Sequence, residues 1–460
     1  MKNKDTIAAI GTMPGESAIG IVKLSGRRAI KIVDKIFRSK SGIKINEIDT
    51  YSMIYGYIAE DRCGVIDEVI VSVMKEPKSY TKEDVVEINC HGGVVATSKV
   101  LELCLNKGAR LAEPGEFTKR AFLNGRIDLS QAEAIIDIVK SKTEESLKIA
   151  AKNLKGEIKS KIKNLRGKIL DVLAQLEASI DFIEEDLEIT PYKKLENEVL
   201  TIEKELDELI ENERKGEIIK SGVKVAIVGK PNVGKSSLLN YILGREKAIV
   251  TSIPGTTRDA VEEILYVEGI PLILVDTAGI RKTKNTVEKI GVGRSMKHID
   301  EAELVIMVMD GNKRFESIDA EIIKKIKDCN SICCINKVDL DKKLKLDKVK
   351  QFFTDESIVE ISALKGIGIR KLEIIIRKKV LDEKEINFAE KVIINKRQKS
   401  VLKRVKKSLL NAKKAMAGKM SEEFPSYDLK EAYEMLGEIK GETVKDDILD
   451  KIFGQFCIGK

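Results

Sequence analysis

Two helical stretches separated by an α/β stretch, with a mixed α/β region ahead of both, predict a multidomain α/β plus α chain. Three observations carry this. Residues 1–124 hold strand-like runs such as Val69–Met74 and Val85–Asn89, after which the pair Gly92-Gly93 opens a helical stretch reaching Cys104. From about Leu129 to Arg214 the apolar residues step by three and four. At Ser221-Gly222 the period switches, and strands alternate with helices to about Val380 before helical signal returns from Lys391 to the end. A chain of 460 residues fits about three domains. The expected organisation is an N-terminal α/β domain over 1–124 and a helical domain in two parts, 125–221 and 384–460. An α/β domain over 222–383 is inserted between those parts.

In the first helical part, Ile169, Leu173, Leu176 and Ile180 form one stripe. Thr190-Pro191 reads as a cap followed by a first-turn proline. After it, Leu195, Val199, Ile202, Leu206 and Leu209 alternate steps of four and three, so two antiparallel helices are expected. In the last segment, residues 391–420 hold 11 Lys/Arg and no Asp/Glu, more positive charge than the +8 of the whole chain. The stripe Leu402, Val405, Leu409, Ala412, Met416 makes this one helix with a core face and a basic remainder. The basic face is either solvated or a contact for nucleic-acid phosphate.

Composition excludes several classes. At 43% hydrophobic and 34% charged residues the chain can bury cores and is not disordered as a whole. No apolar run approaches the roughly 18 residues of a membrane span. The N-terminus lacks a basic-then-apolar leader layout, so a cytoplasmic protein without membrane association is expected. The seven cysteines form no CxxC pair, and only His91 and His298 could add imidazole, so no structural zinc site is expected and most thiols read as reduced and buried. The terminal Cys457-Ile458-Gly459-Lys460 has the outline of a prenylation box, but Gly459 is not aliphatic and Lys460 is not a usual last residue, which excludes that reading.

The inserted domain carries the chemistry. Gly229-Lys230-Pro231-Asn232-Val233-Gly234-Lys235-Ser236 fits G-x-x-x-x-G-K-[ST], with Ser237 following, after a strand (Val223–Val228) and before a helix. Such a loop curls its backbone N–H groups around phosphates. Lys235 reaches the β- and γ-phosphates, and Ser236 offers its hydroxyl oxygen to Mg²⁺. Thr257, in Gly255-Thr256-Thr257-Arg258-Asp259, can supply a second hydroxyl to the metal, and Asp276-Thr277-Ala278-Gly279 would face metal and γ-phosphate. Asn336-Lys337-Val338-Asp339 follows the strand Ser331–Ile335, and the Asp339 carboxylate can accept two N–H bonds that guanine offers and adenine does not. Ser362-Ala363-Leu364 would offer backbone N–H to the guanine oxygen. Five elements in this order predict a P-loop GTPase domain of the Ras-like type.

One position breaks the pattern. Many such enzymes orient the attacking water with a glutamine after the glycine of this last phosphate motif, and here Ile280 stands there. Asn232 offers an oxygen near the phosphates, and Thr251-Ser252-Ile253-Pro254-Gly255-Thr256 could wrap over it with carbonyls that suit a hard monovalent cation. A cation there would neutralise charge where an arginine finger would otherwise sit.

The chain resembles the MnmE (TrmE) family of tRNA-modification GTPases along its whole length. The carriers are GKPNVGKSSLLN, AIVTSIPGTTRD, VDTAGIRK, Pro114 to Ala134, EINCHGG (Glu87 to Gly93) and the terminal FCIGK. The last three are not general GTPase features. The resemblance implies potassium held by Asn232, Thr251, Ile253 and Thr256, and a glutamate, Glu288, in place of the missing glutamine. It implies a folate-binding and dimerisation domain at the N-terminus, with 5-formyltetrahydrofolate met by Lys23, Glu87, Arg126 and Lys460 and the C-terminal tail reaching back toward it. It also implies a homodimer, an MnmG-type flavoprotein partner in a heterotetramer, tRNA as substrate, and a carboxymethylaminomethyl-type group added at C5 of a wobble uridine. The alternative is a ribosome-assembly GTPase that binds ribosomal RNA, which would need neither the N-terminal α/β domain nor the FCIGK tail.

Overall fold

The computed structural model describes residues 5–60, 64–181, 192–245, 263–275, 299–381 and 392–460. The expectations for Cys63, for the Thr190-Pro191 cap, for the loop from Thr251 to Thr257, for Asp276 to Ile280, for Glu288 and for His298 lie outside these residues. The described chain divides into two compact units. One comprises Met1–Val139, Lys152–Glu203 and Ser400–Lys460, and the other Lys140–Ala151 and Lys204–Lys399.

The first unit opens with β1 (Ile7–Ile10), β2 (Ser17–Ser25), α1 (Ala29–Ile36), β3 (Phe37–Ser39), β4 (Ser52–Glu60), β5 (Gly64–Met74), β6 (Val85–Gly92), α2 (Val94–Asn106) and β7 (Arg110–Leu111). Seven strands form one sheet in the order β3-β4-β5-β6-β2-β1-β7. The period of two along these strands sorts the residues by face. Val22, Leu24, Val71, Val86 and Ile88 point to a core closed by Ile32 and Val33 of α1 and Val100 and Leu103 of α2. Lys23 and Glu87 are register partners, alternating with these core residues and so turned to the opposite face.

After the sheet come α3 (Glu116–Leu123), α4 (Leu129–Lys140), α5 (Glu144–Lys155), α6 (Glu157–Asp181) and α7 (Tyr192–Ser221). Helices α12 (Lys396–Ala417), α13 (Glu423–Lys440) and α14 (Asp446–Phe453) close the chain. Helix α6 packs on α13: Arg166 stacks over the Tyr433 ring at 4.1 Å, and Lys430 pairs with Glu177 at 2.6 Å. The stripe read from the sequence of α12 is inside, with Leu402, Val405, Leu409 and Ala412 all fully buried. Its charged remainder is not simply solvated. Lys396 pairs with Glu217 at 2.8 Å, Lys399 with Glu213, Lys413 with Glu203 and Arg404 with Glu438. Phe453 of α14, in the cluster with Ala121 and Leu129, stacks on Phe456 at 5.8 Å; burying one such ring stabilises by about 1.5–3 kcal/mol.

The second unit holds β8 (Val223–Val228), α8 (Lys235–Arg245), β9 (Glu263–Val267), β10 (Ile270–Leu274), β11 (Leu304–Asp310), α9 (Ser317–Ile326), β12 (Ser331–Asn336), α10 (Leu346–Lys350), β13 (Ile358–Glu360) and α11 (Ile369–Leu381). Its six strands run in the order β13-β12-β11-β8-β10-β9, with β9 the antiparallel edge. The central strands read as continuous apolar runs because both faces are covered, as parallel strands require. The register places Asp310 beside Asn336 and Val228 beside Met307, so the segments after β8, β11 and β12 emerge together at the carboxyl ends, where open α/β sheets bind ligands.

Of the cysteines, Cys90, Cys104, Cys333 and Cys334 are buried, and burial pushes the Cys333 thiol up to about 12. Cys329 is half-buried and Cys457 is exposed. Among the described residues no His/Cys/Asp/Glu group could hold a metal ion, and no helix is long and apolar enough to cross a membrane.

Candidate functional site

The loop from Gly229 to Gly234 joins β8 to the first turn of α8, which begins at Lys235. Lys235 folds back over its own loop, with Nζ donating to the carbonyls of Gly229 at 2.7 Å and Lys230 at 2.8 Å. Burial lowers its pKa. A half-buried ammonium that, among the described residues, is held by neutral carbonyls is matched to an anion, whose charge would restore what burial removes. Asn232 stands in the left-handed region at φ +62°, which asparagine tolerates better than most residues. Its side chain is exposed, and no described residue bonds to its amide.

The segment after β12 is fastened to this loop. The Asn336 amide nitrogen donates to the Val233 carbonyl at 2.9 Å, and its oxygen accepts from the Ala363 N–H at 2.9 Å. One buried amide therefore joins the phosphate loop, the Asn336–Asp339 segment and the Ser362–Leu364 turn. Gly234 makes this possible: at φ +100°, a Cβ there would lie 2.1 Å from the Asn336 nitrogen. Lys337 donates to the Asn232 carbonyl at 2.9 Å. Asp339 is held below the usual carboxylate range, first by the Ser362 hydroxyl, and so is ready to accept N–H bonds as an anion. Ser362 and Ala363 are buried in their turn, whereas Leu364 is exposed.

Sequence reasoning missed the acidic groups behind this loop. Asp310, at the end of β11, takes the Lys337 ammonium at 2.6 Å. Asp319, in the first turn of α9, takes Lys230 at 2.7 Å, with Glu316 at 2.9 Å. Burial would depress Lys230, but the hydrogen bonds to Asp319 and Glu316 outweigh it and hold the ammonium above its ordinary value. The only sequence signal was an aspartate ending a fully apolar strand, which marks a strand end as readily as a partner.

A second site lies in the first unit. Lys23, Glu87, Arg126 and Lys460 line one cavity of 350 Å³, together with Tyr80 and apolar residues of α4 such as Ile135. That volume lies in the range of small-molecule sites. Lys23 sits 3.5 Å from Glu87 and 4.8 Å above the Tyr80 ring, which Arg126 also covers at 4.6 Å. Burial lowers the Lys23 pKa; Glu87 raises it, and the charges of Lys460 and Arg126 lower it further. Counted by side chains, three cations and one carboxylate give the lining an excess of positive charge. The tail is held there in part by the Phe117 N–H, in the first turn of α3, which donates to the Lys460 main-chain oxygen at 3.1 Å. Gly459, at φ +92°, passes so close to Ile10 that a Cβ would lie 2.5 Å from its carbonyl oxygen.

The model for the MnmE helical domain matches residues 129–457, and that for the N-terminus of the GTP-binding protein TrmE matches residues 6–126. The tRNA modification GTPase MnmE of Clostridioides difficile (strain 630) is 47% identical over 99% of this chain and 99% of its own. The chain belongs to the MnmE family of tRNA modification GTPases. The MnmE proteins of Alkaliphilus oremlandii (strain OhILAs) and Thermoanaerobacter pseudethanolicus (strain ATCC 33223 / 39E) are 45% and 48% identical, each over 99% of both chains. Among solved structures, Era from Aquifex aeolicus bound to GDP and aluminium fluoride aligns over 41% of this chain and 67% of that one, at 28% identity and a TM-score of 0.26. The two matched regions include the residues named above for the nucleotide site, and those named for the cavity apart from the tail residues Gly459 and Lys460.

Proposed function

We propose that this chain hydrolyses GTP in the course of tRNA wobble-uridine modification, adding a carboxymethylaminomethyl-type group at C5 together with an MnmG-type flavoprotein. The observation that carries the reading is the Asn336 amide, which bonds the phosphate loop to the guanine-reading segment and makes one nucleotide site of separate motifs. In this reading Lys235, with the backbone of Asn232 to Ser237, holds the phosphates. Asp339 and the turn Ser362-Ala363-Leu364 read guanine. Ser236 and Thr257 bind Mg²⁺, and Asp276 to Gly279 face the γ-phosphate.

Potassium is proposed on Asn232, Thr251, Ile253 and Thr256, within the loop that also holds Ser252, Pro254 and Gly255. The exposed Asn232 amide, which no described residue occupies, fits that role. When bound, the ion supplies positive charge beside the phosphates. Glu288 is proposed to orient the water. The 350 Å³ cavity suits a 5-formyltetrahydrofolate-type ligand: Glu87 can accept from the donor edge of a pterin, and Lys23, Arg126 and Lys460 can meet its carboxylates. The domain plan is 1–124, 125–221 with 384–460, and 222–383, acting as a cytoplasmic homodimer that joins its partner in a heterotetramer.

Single-turnover hydrolysis in KCl and NaCl tests the catalytic part. The wild type should be much faster in KCl, Asn232→Ala should lose most of that advantage, and Glu288→Ala should slow both salts by roughly 10²–10⁴. Equal wild-type rates would remove potassium, and an active Glu288→Ala would remove that residue's role. Binding of 5-formyltetrahydrofolate to the wild type but not to Lys23→Ala or Arg126→Ala tests the cavity. Nucleoside analysis of tRNA from a strain lacking the gene tests the substrate.

A further inference from the structure

Lys230, the residue before Pro231, and Lys337, whose ammonium bonds the carbonyl of the residue after Pro231, are both held by one segment. Asp310, where β11 ends, binds Lys337 at 2.6 Å, and Lys337 donates to the Asn232 carbonyl at 2.9 Å. Asp319, nine residues on, binds Lys230 at 2.7 Å and also accepts the Glu316 N–H at 2.9 Å, so it is itself fixed as the partner in the α9 cap. Both carboxylates have side chains only 3% exposed. Asp310 is anchored further by the Asn312 N–H at 3.0 Å.

One of the gripped residues, Lys337, and the Asn232 that it holds are in the left-handed region. Asn232 is at φ +62° and Lys337 at φ +66°, and positive φ at non-glycine residues persists only where the surroundings over-determine it. A residue whose side chain must meet an ion from a fixed direction is a place for such strain, since rotation about φ and ψ would swing its amide away. We infer that Asp310 and Asp319 are positioning residues that aim the Asn232 side chain at the monovalent cation, Asp310 through Lys337 and Asp319 through Lys230. This rests on the proposal that Asn232 holds potassium. Neither carboxylate touches the nucleotide or the ion; each acts by fixing the backbone on one side of Pro231.

The test follows the stability of the full-length protein with GDP, Mg²⁺ and aluminium fluoride as KCl replaces NaCl at constant ionic strength. An ion bound only by the folded complex raises the melting temperature with its concentration, so the titration gives a half-saturating K⁺ concentration without turnover. For Asp310→Asn that concentration should rise roughly tenfold, as expected when one hydrogen bond to a charged group is lost. Asp319→Asn should move it in the same direction and less, because Glu316 still holds Lys230. GDP affinity in NaCl should change far less than the K⁺ response in both. If Asp310→Asn does not fold, Asp310→Glu keeps the charge and misplaces it, and the same rise is expected.

A wild type with no response to K⁺ would remove the potassium reading itself. A wild type that responds, with variants unchanged in their K⁺ midpoint, would overturn the positioning role alone. So would variants that lose GDP affinity as much as K⁺ response, since that is general loosening of the loop.

Discussion

Asn336 spans 103 residues of sequence to hold the Val233 carbonyl at 2.9 Å, and its other amide atom accepts from Ala363. Asn336→Ala leaves two buried backbone groups unpaired, so stability should fall by about 2–5 kcal/mol. GTP binding should fall with it. Gly234→Ala should do the same by another route, its Cβ displacing the Asn336 amide. Denaturant unfolding and nucleotide titration check both. A variant at either position that stays stable and binds GTP would show that the clip does not hold the site.

The Asp339 carboxylate is held ionised, first by the Ser362 hydroxyl. Asp339→Asn exchanges one acceptor for a donor, so guanine should bind more weakly and xanthine better. Competition of GTP and xanthosine triphosphate measures the switch, expected at roughly 10²-fold or more in relative preference because the buried polar edge is re-paired. An unchanged ratio would count against Asp339 as the base reader.

The tail and the cavity can be separated from the nucleotide site. Gly459→Ala is incompatible with both φ +92° and the Ile10 carbonyl, so the last residues should leave the cavity. Folate binding should weaken by about tenfold or more, the equivalent of a lost charged contact, with GTP turnover little changed. Fluorescence titration with 5-formyltetrahydrofolate reads the first effect and phosphate release the second. Full folate affinity would show that the tail only borders the cavity.

The basic residues of α12 fall into two groups. Lys403 and Lys407 are exposed, whereas Lys399 and Lys413 pair with Glu213 and Glu203, whose side chains are buried. If this face meets tRNA phosphate, reversing Lys403 and Lys407 to Glu should weaken binding and reduce the salt slope by about one per lysine, with stability unchanged. Lys413→Glu should instead destabilise the fold, because it leaves a buried like-charged pair. Filter binding across a salt series and thermal melts distinguish the two. An unaltered salt slope would make the face a solvated one.

A pH effect is expected at His91, where Asp67 takes Nδ1 at 2.6 Å and the backbone N–H at 2.8 Å. The hydrogen bond to Asp67, then its charge, raises the imidazole above its ordinary 6.5. Because the folded value is the raised one, the pair's contribution is complete below about 6.5 and fades as pH rises through the folded value. The chain has two histidines, so NMR titration can follow His91 directly. It should titrate above 6.5, and Asp67→Asn should bring it back. A wild-type value at or below 6.5 would contradict the pair.

The sequence by itself determined the fold class, the apolar stripe of α12 and the P-loop motif on which the proposed nucleotide site is built. Phosphate loops are made by contiguous backbone, so glycine, lysine and serine at fixed spacing within eight residues specify their shape wherever the loop stands. Periodicity is equally local. Tertiary structure decided what joins the parts. That Asp310 serves Lys337, that Asp319 serves Lys230 and that Asn336 clips Val233 to Ala363 all depend on strand order β12-β11-β8, which brings together residues from 27 to 103 positions apart. The same holds for the cavity, where Lys23, Glu87, Arg126 and Lys460 read as surface charges until the sheet face, α4 and the returning tail enclose them. It holds too for the lysines of α12, whose partners are acids of other helices. A charge's role is set by what lies within a few ångströms of it, and for these residues that neighbourhood exists only once the chain has folded.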